Sequence, residues 1–262
     1  MRHVPRHVPR HVRRALRPLR HKDVPVLTPN GRGLRVRLGW APLGAIVHGL
    51  KPPAENALLA LVREGDHFYD IGAGIGWYSM LCGRRTKSLV VAFEPFLESA
   101  ALAVHNARTN RLPITVVPAA VTDFNGWTRF AMRERRLATY VPHTETSVPV
   151  LGVTLDSWIT TTGHPMPDVV KIDVESPGLD VLRGMESVIQ RARPALVIKM
   201  HGEQDALANW LDDHEYEHRP IDFGTSTRSA PWWAHVVATP APDERRTTEQ
   251  RPRAVALQAR GH

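Results

Sequence analysis

Residues 68–79 read FYDIGAGIGWYS. An apolar run ends on a carboxylate, Asp70, and opens into Gly72, Gly74 and Gly76 before an amphipathic start at Trp77. Glycines at this spacing permit a tight strand-to-helix turn and let a ligand approach backbone N–H groups closely. The spacing is G-x-G-x-G, and Trp77 stands where a dinucleotide fingerprint needs its third glycine, which argues against a nicotinamide oxidoreductase. The next apolar run, VVAFEPF at 90–96, carries Glu94 eighteen residues after Gly76. A carboxylate at the end of a second strand can accept both hydroxyls of a ribose, so an adenosine-type cofactor is expected.

Outward from this loop, strand-like and helix-like patterns alternate. Strands are predicted at 67–71, 88–94, 114–121, 168–173 and 194–200, with a last one at 232–239; helices follow from 77, at 97–110, 178–190 and 203–213. Apolar strands alternating with helices indicate an α/β, doubly wound, mostly parallel sheet covered on both faces. Ahead of it, two β-like runs at 25–38 flank Pro29-Asn30-Gly31, a hairpin signal, and a helix is expected at 54–64. A β excursion at 127–153 interrupts the alternation, and loops beyond the strand ends, there and near 220–233, are where acceptor contacts are expected. The division expected is a basic disordered tail at 1–22, an extension at 23–65, the main domain at 66–239 and a loose tail at 240–262.

Composition narrows the class. The chain has 262 residues, one cysteine (Cys82) and a formal charge of +8. A single cysteine excludes an internal disulfide and a Cys-rich zinc site, and fits a reducing compartment. No apolar stretch approaches the roughly 18–20 residues of a membrane span, and the basic N-terminus lacks the apolar core of a secretory signal, so the cytoplasm is expected. Seven arginines and Lys22 fall within residues 1–22; the remaining 26 basic residues balance 26 acidic ones. The excess charge belongs to the RHVP-RHVP-RHVR repeat, read as a solvated tail or as an arm for anionic surfaces such as RNA or lipid.

The run VVKIDVESPG at 169–178 places Lys171, Asp173 and Glu175 on one side of a strand by alternation. Charges inside a core strand require pairing, a shifted pKa or a functional site. Asp173 ends the strand; it is read as a base, an acceptor-orienting carboxylate or a metal ligand, or else as an ion-pair partner of Lys171 or Lys199. His201 is a second base candidate at the end of VIKMHG. The other histidines, such as His105, His143 and His164, lack metal-ligand spacing. Trp232 and Trp233 are read either as a wall of an acceptor pocket or as packing residues.

The blocks FYDIGAGIGWYS, VVAFEP, HNARTNRLPITVVPAAVTD, VTLDSW, VVKIDVES with VLRGM, and RPALVIKMHG lie in order over about residues 66–202. Together they resemble the FkbM family of S-adenosylmethionine-dependent methyltransferases. The resemblance implies a Rossmann-like fold with a seven-stranded type of sheet and O-methylation of a hydroxyl on a sugar or secondary metabolite. It implies that Asp70, Gly72, Ala73 and Gly74 hold the methionine part of S-adenosylmethionine and that Glu94 holds the ribose. Phe96, Ala120 and Val121 would form the adenine pocket, with Asp123 either on the adenine amine or capping a turn. Asp173, His201, Lys199 and Glu175 would face the acceptor. Two positions depart from the family pattern: Lys199 replaces a glutamate, and Ser176 with Pro177-Gly178 removes an acid. A protonated lysine repels a cation, which argues against a divalent metal here. Lys199 either stabilises an alkoxide-like acceptor or marks a catalytically impaired cofactor- or RNA-binding relative.

Overall fold

The structure is a computed structural model and describes residues 21–39, 44–133, 136–140, 147–175, 178–221 and 223–242. The arginine repeat, the tail beyond 242, Ser176 and Pro177 lie outside the described residues.

The chain forms β1 (Val24–Pro25), β2 (Arg35–Val36), α1 (Ala45–His48), α2 (Pro52–Leu61), β3 (Phe68–Ile71), α3 (Trp77–Thr86), β4 (Val90–Phe93), α4 (Leu97–Thr109) and β5 (Ile114–Val117). It continues through β6 (Ala120–Val121), β7 (Gly126–Arg133), β8 (Arg136–Tyr140), β9 (Ser147–Val153), α5 (Leu155–Thr162), β10 (Val169–Ile172) and α6 (Gly178–Arg183). Last come α7 (Glu186–Ala192), β11 (Ala195–Lys199), α8 (Gln204–Asp213), β12 (Tyr216–Pro220) and β13 (His235–Pro240).

Seven strands form one sheet in the order β12-β13-β11-β10-β3-β4-β5, parallel except for the antiparallel pairings of β13. Strand order reverses between β3 and β10, and in such sheets the crevice at that switch, beyond the strands' C-terminal ends, is where ligands bind. Alternation sorts the core into two layers. Tyr69, Ile71, Val91, Phe93, Val170 and Ile172 pack against α5 to α8, while Phe68, Val90, Val169 and Val197 pack against α2, α3 and the N-terminal extension. By parity Asp70 and Lys171 belong to the second layer, beneath α3.

The structure differs from the sequence expectation at five elements. The run 114–121 is two strands in two sheets, because Pro118 offers no N–H to continue the ladder and β6 turns away to pair with β9. The helix expected at 178–190 breaks at Gly184–Met185, where a Cβ on Gly184 would overlap the Thr122 carbonyl. The strand expected at 232–239 starts at His235, leaving Trp232 and Trp233 in a turn. Helix α5 and strand β12 were not expected at all. The excursion at 127–153 is antiparallel β7, β8 and β9, which join β6 in a four-stranded sheet ordered β6-β9-β7-β8.

The extension is fastened by side-chain amides in place of a further strand. Asn110 exchanges hydrogen bonds with Arg35 N and O at 2.8 and 2.7 Å, and Asn106 does so with Arg37 N and O at 2.7 and 3.2 Å. Asn106 Nδ2 also donates to Ile75 O at 2.9 Å, so the same buried amide holds the glycine loop. Trp77, at the position a third glycine would occupy, donates its indole N–H to buried Glu55 at 2.9 Å.

Candidate active site

The glycine loop is held from within. Gly72 N and Ala73 N both donate to Phe93 O at 3.0 Å, Gly74 N donates to Glu94 Oε2 at 2.7 Å, and Gly76 N donates to Ala73 O at 2.9 Å. These donors, expected to face a ligand, are therefore engaged inside the protein. Gly72 has φ +77°, and a Cβ there would meet the Asp173 carbonyl oxygen, so this glycine allows the ends of β3 and β10 to touch.

Glu94 lies just beyond β4 and is 8% exposed. Its Oε2 accepts from Gly74 and its Oε1 accepts from Phe96 N at 2.9 Å. Burial pushes its pKa up to about 6 against the opposing pull of those two N–H groups. A carboxylate has about four acceptor directions, so the two bonds leave each oxygen room for another donor, the pattern a ribose diol would fill. Phe96 packs with Ala120, Val150, Phe130 and Val148, an apolar wall beside that carboxylate. Val121 is buried in β6, and Asp123 is exposed on the following turn, where its charge helps burial raise the pKa of Asp180.

Beneath α3, Asp70 is fully buried. Its Oδ1 meets Lys171 Nζ at 3.1 Å across a Cα register pair, and its Oδ2 accepts from Ser79 Oγ at 2.6 Å. Both oxygens thus face into the protein. Lys171 Nζ also lies 3.8 Å from Asp173 Oδ2, 3.5 Å from Gly72 O and 4.5 Å from the centre of the Tyr78 ring. Burial alone would lower the lysine's pKa, but Asp70 and Asp173 carry it above the ordinary value. The sequence suggested Asp173 as the partner of Lys171; Asp70 is the nearer.

Asp173 is gripped from its other side by Lys199, 3.2 Å away, which also reaches Glu175 at 3.8 Å. Burial would raise the Asp173 pKa; Lys171 and Lys199, with His235 across the ladder from Lys199, hold it far below the usual carboxylate range. His201 follows Met200, its N donating to Glu203 Oε2 at 2.8 Å. Its Nε2 is shut off from solvent and has no hydrogen-bond partner among the described residues, while burial and then Lys199 lower its pKa. Asp70, Asp173, Glu175, Lys199 and His201 thus converge at the ends of β3, β10 and β11. Glu94 and Phe96 sit across β3 at the end of β4.

Sequence reasoning missed three contributors. Glu203 joins the loops after β10 and β11, because its Oε1 also accepts from Gly178 N at 3.0 Å. His235 and Ser79 act through pairings that no local pattern reveals. Among the described residues no group of three or more His, Cys, Asp or Glu could hold a metal ion, and the positive charges beside Asp173 come from lysines. No helix among them is long and apolar enough to cross a membrane.

Comparison with known proteins identifies the family. The family model described as the methyltransferase FkbM domain matches residues 70–218. The hexuronic acid methyltransferase AglP of Haloferax volcanii is 29% identical over 151 residues, which cover 56% of this chain and 61% of that protein. The crystal structure of methyltransferase FkbM from Methylobacillus flagellatus KT superposes with a TM-score of 0.50 at 17% identity, over 72% of this chain and 51% of that one. The chain therefore spans less than two thirds of the length of each of these two proteins.

Proposed function

Because the chain belongs to the FkbM methyltransferase family, we propose that it methylates a sugar hydroxyl with S-adenosylmethionine as donor. The observation that carries this reading is Glu94, a buried carboxylate beside the glycine loop with acceptor capacity left on both oxygens. The apolar wall of Phe96 and Ala120 lies where the base of an adenosine held by that carboxylate would rest. Asp70 contributes through Lys171 and Ser79, fixing the strand end from which the loop departs. The sugar acceptor is taken from the likeness to the hexuronic acid methyltransferase.

When bound, the donor supplies an electrophilic methyl group on a sulfonium, so the protein must align an acceptor oxygen and take its proton. Asp173, ionised between two lysines, is a weak base and a strong hydrogen-bond acceptor, which suits it to orienting the hydroxyl. His201, kept neutral by burial and by the neighbouring Lys199, is the base that would receive the proton as the O–CH3 bond forms and the S–CH3 bond breaks. Lys199, between Asp173 and Glu175, lies where it can stabilise negative charge growing on the oxygen.

The test is transfer of isotope-labelled methyl from S-adenosylmethionine to a panel of methyl hexuronosides and hexosides. Asp173→Asn and His201→Ala should each lower kcat by about 10²-fold or more. Unchanged turnover in both variants would remove these roles.

A further inference from the structure

Resting on that reading, we infer that Phe223, Trp232 and Trp233 form a stacking platform for the apolar face of the acceptor sugar ring. The segment carrying them is pinned at many points. Ile221 N donates to His235 O at 2.8 Å, Met200 N to Ala234 O at 2.9 Å, and Ala234 N to Pro231 O at 2.9 Å. His218 meets Thr227 Oγ1 at 2.8 Å, and Arg228 binds Asn209 and Asp212 at 2.7 Å each.

On this fixed loop the rings face outward: Phe223 is 53% exposed, Trp232 60% and Trp233 37%. Phe223 and Trp233 meet edge to face with centroids 5.0 Å apart, which fixes their relative orientation without burying them. Trp77, whose ring packs in the core, is by contrast 2% exposed. The platform's place is set by the ladder: the Met200–Ala234 bond puts Trp233 beside His201, and Lys199 pairs with His235 two residues further on. The loop that carries the aromatic rings is therefore joined by backbone register to the end of β11, which carries Lys199 and His201.

A pyranose ring has complementary surfaces, a face of C–H groups and an edge of hydroxyls. The electron-rich ring face attracts the polarised C–H groups, while the carboxylates and lysine take the hydroxyl edge. A planar phenolic acceptor would stack too, but would use few of the polar groups beside the platform.

Saturation-transfer NMR with methyl β-D-glucuronide and methyl β-D-glucoside, in the presence of S-adenosylhomocysteine, tests this. Ring C–H protons should receive saturation from the wild type. Trp232→Ala and Trp233→Ala should each weaken sugar binding about three- to tenfold with S-adenosylhomocysteine affinity unchanged. Trp233→Phe should retain most of the binding, and Leu27→Ala in the N-terminal extension serves as the control for an exposed apolar side chain outside the expected acceptor loops. Sugar binding that survives both alanine variants overturns the platform and leaves the proposed activity standing. A wild type that binds S-adenosylhomocysteine but neither sugar, or that prefers phenol to both, overturns the platform and the sugar acceptor together.

Discussion

Glu94 and Asp173 end strands on either side of β3, both in buried surroundings, yet their acidities move in opposite directions. Burial raises both. At Glu94 the counterweights are two backbone N–H groups, and its pKa stays up at about 6; at Asp173 they are two lysines, and it falls below the ordinary value. Cations at the end of β10 thus hold a permanently charged carboxylate, while dipoles at the end of β4 hold one whose charge responds to pH. The first suits the orienting role proposed for Asp173, the second the cofactor contact proposed for Glu94.

The most severe way to break this contrast is to remove the cation the two halves of the β10 cluster share. Lys171→Met leaves the fully buried Asp70 without its cation and should cost about 3–5 kcal/mol of stability in urea unfolding. A loss under about 1 kcal/mol would mean that the cluster does not depend on its lysine.

Next is Glu94→Gln, which keeps the shape and removes the charge. S-adenosylhomocysteine affinity measured by calorimetry should weaken about 10- to 100-fold. The pH dependence sharpens the same point. With ionised Glu94 holding the ribose, as proposed, affinity should fall about tenfold from pH 7 to pH 5 in the wild type, with its midpoint near the group's pKa of about 6, and stay flat in the Gln variant. For stability the signs differ between the two sites. The raised pKa of Glu94 gives a contribution present below its ordinary value of 4.5 and lost as pH rises through about 6. The depressed pKa of Asp173 gives one present above its ordinary value of 3.8 and lost only as pH falls well below it.

The smallest effect is expected from Lys199→Gln. The pair is partly open to solvent, so about 1 kcal/mol should be lost. The Asp173 carboxyl, followed by carbon-13 NMR, should titrate at higher pH; an unmoved titration would assign its acidity to Lys171 and His235 alone.

The alternation of FYDI, VVAF, VVKI and ALVIK with helices made the sheet legible, because strands buried on both faces are continuously apolar. β12 was not legible: YEHRP is a polar edge strand with no apolar run to mark it. Helix α5 was hidden because LDSWITTT is short and rich in threonine; Thr154 caps it, and Asp156 accepts from Ser187 N and Val188 N to cap α7. At the site, the glycine loop and Glu94 could be read because each is a local pattern at a strand end. The Lys171–Asp70 pair could not, since it joins residues 101 apart through strand register, and His235 reaches Asp173 only through β13 pairing with β11. Blocks that mark the family also proved to be structural: in HNARTN, His105 meets Asp23 at 2.7 Å while Asn106 and Asn110 hold the extension.

Asn106 has a consequence for how the molecule opens. One amide pairs with Arg37 and with Ile75, so the N-terminal extension and the glycine loop lose a shared bond if either lifts away. In native-state hydrogen exchange the amides of Arg37 and of Gly74 and Gly76 should open as one cooperative unit, with a common free energy that a ligand at Glu94 raises for all three. A segment of the N-terminal extension would then report, by its protection, whether a ligand sits at Glu94.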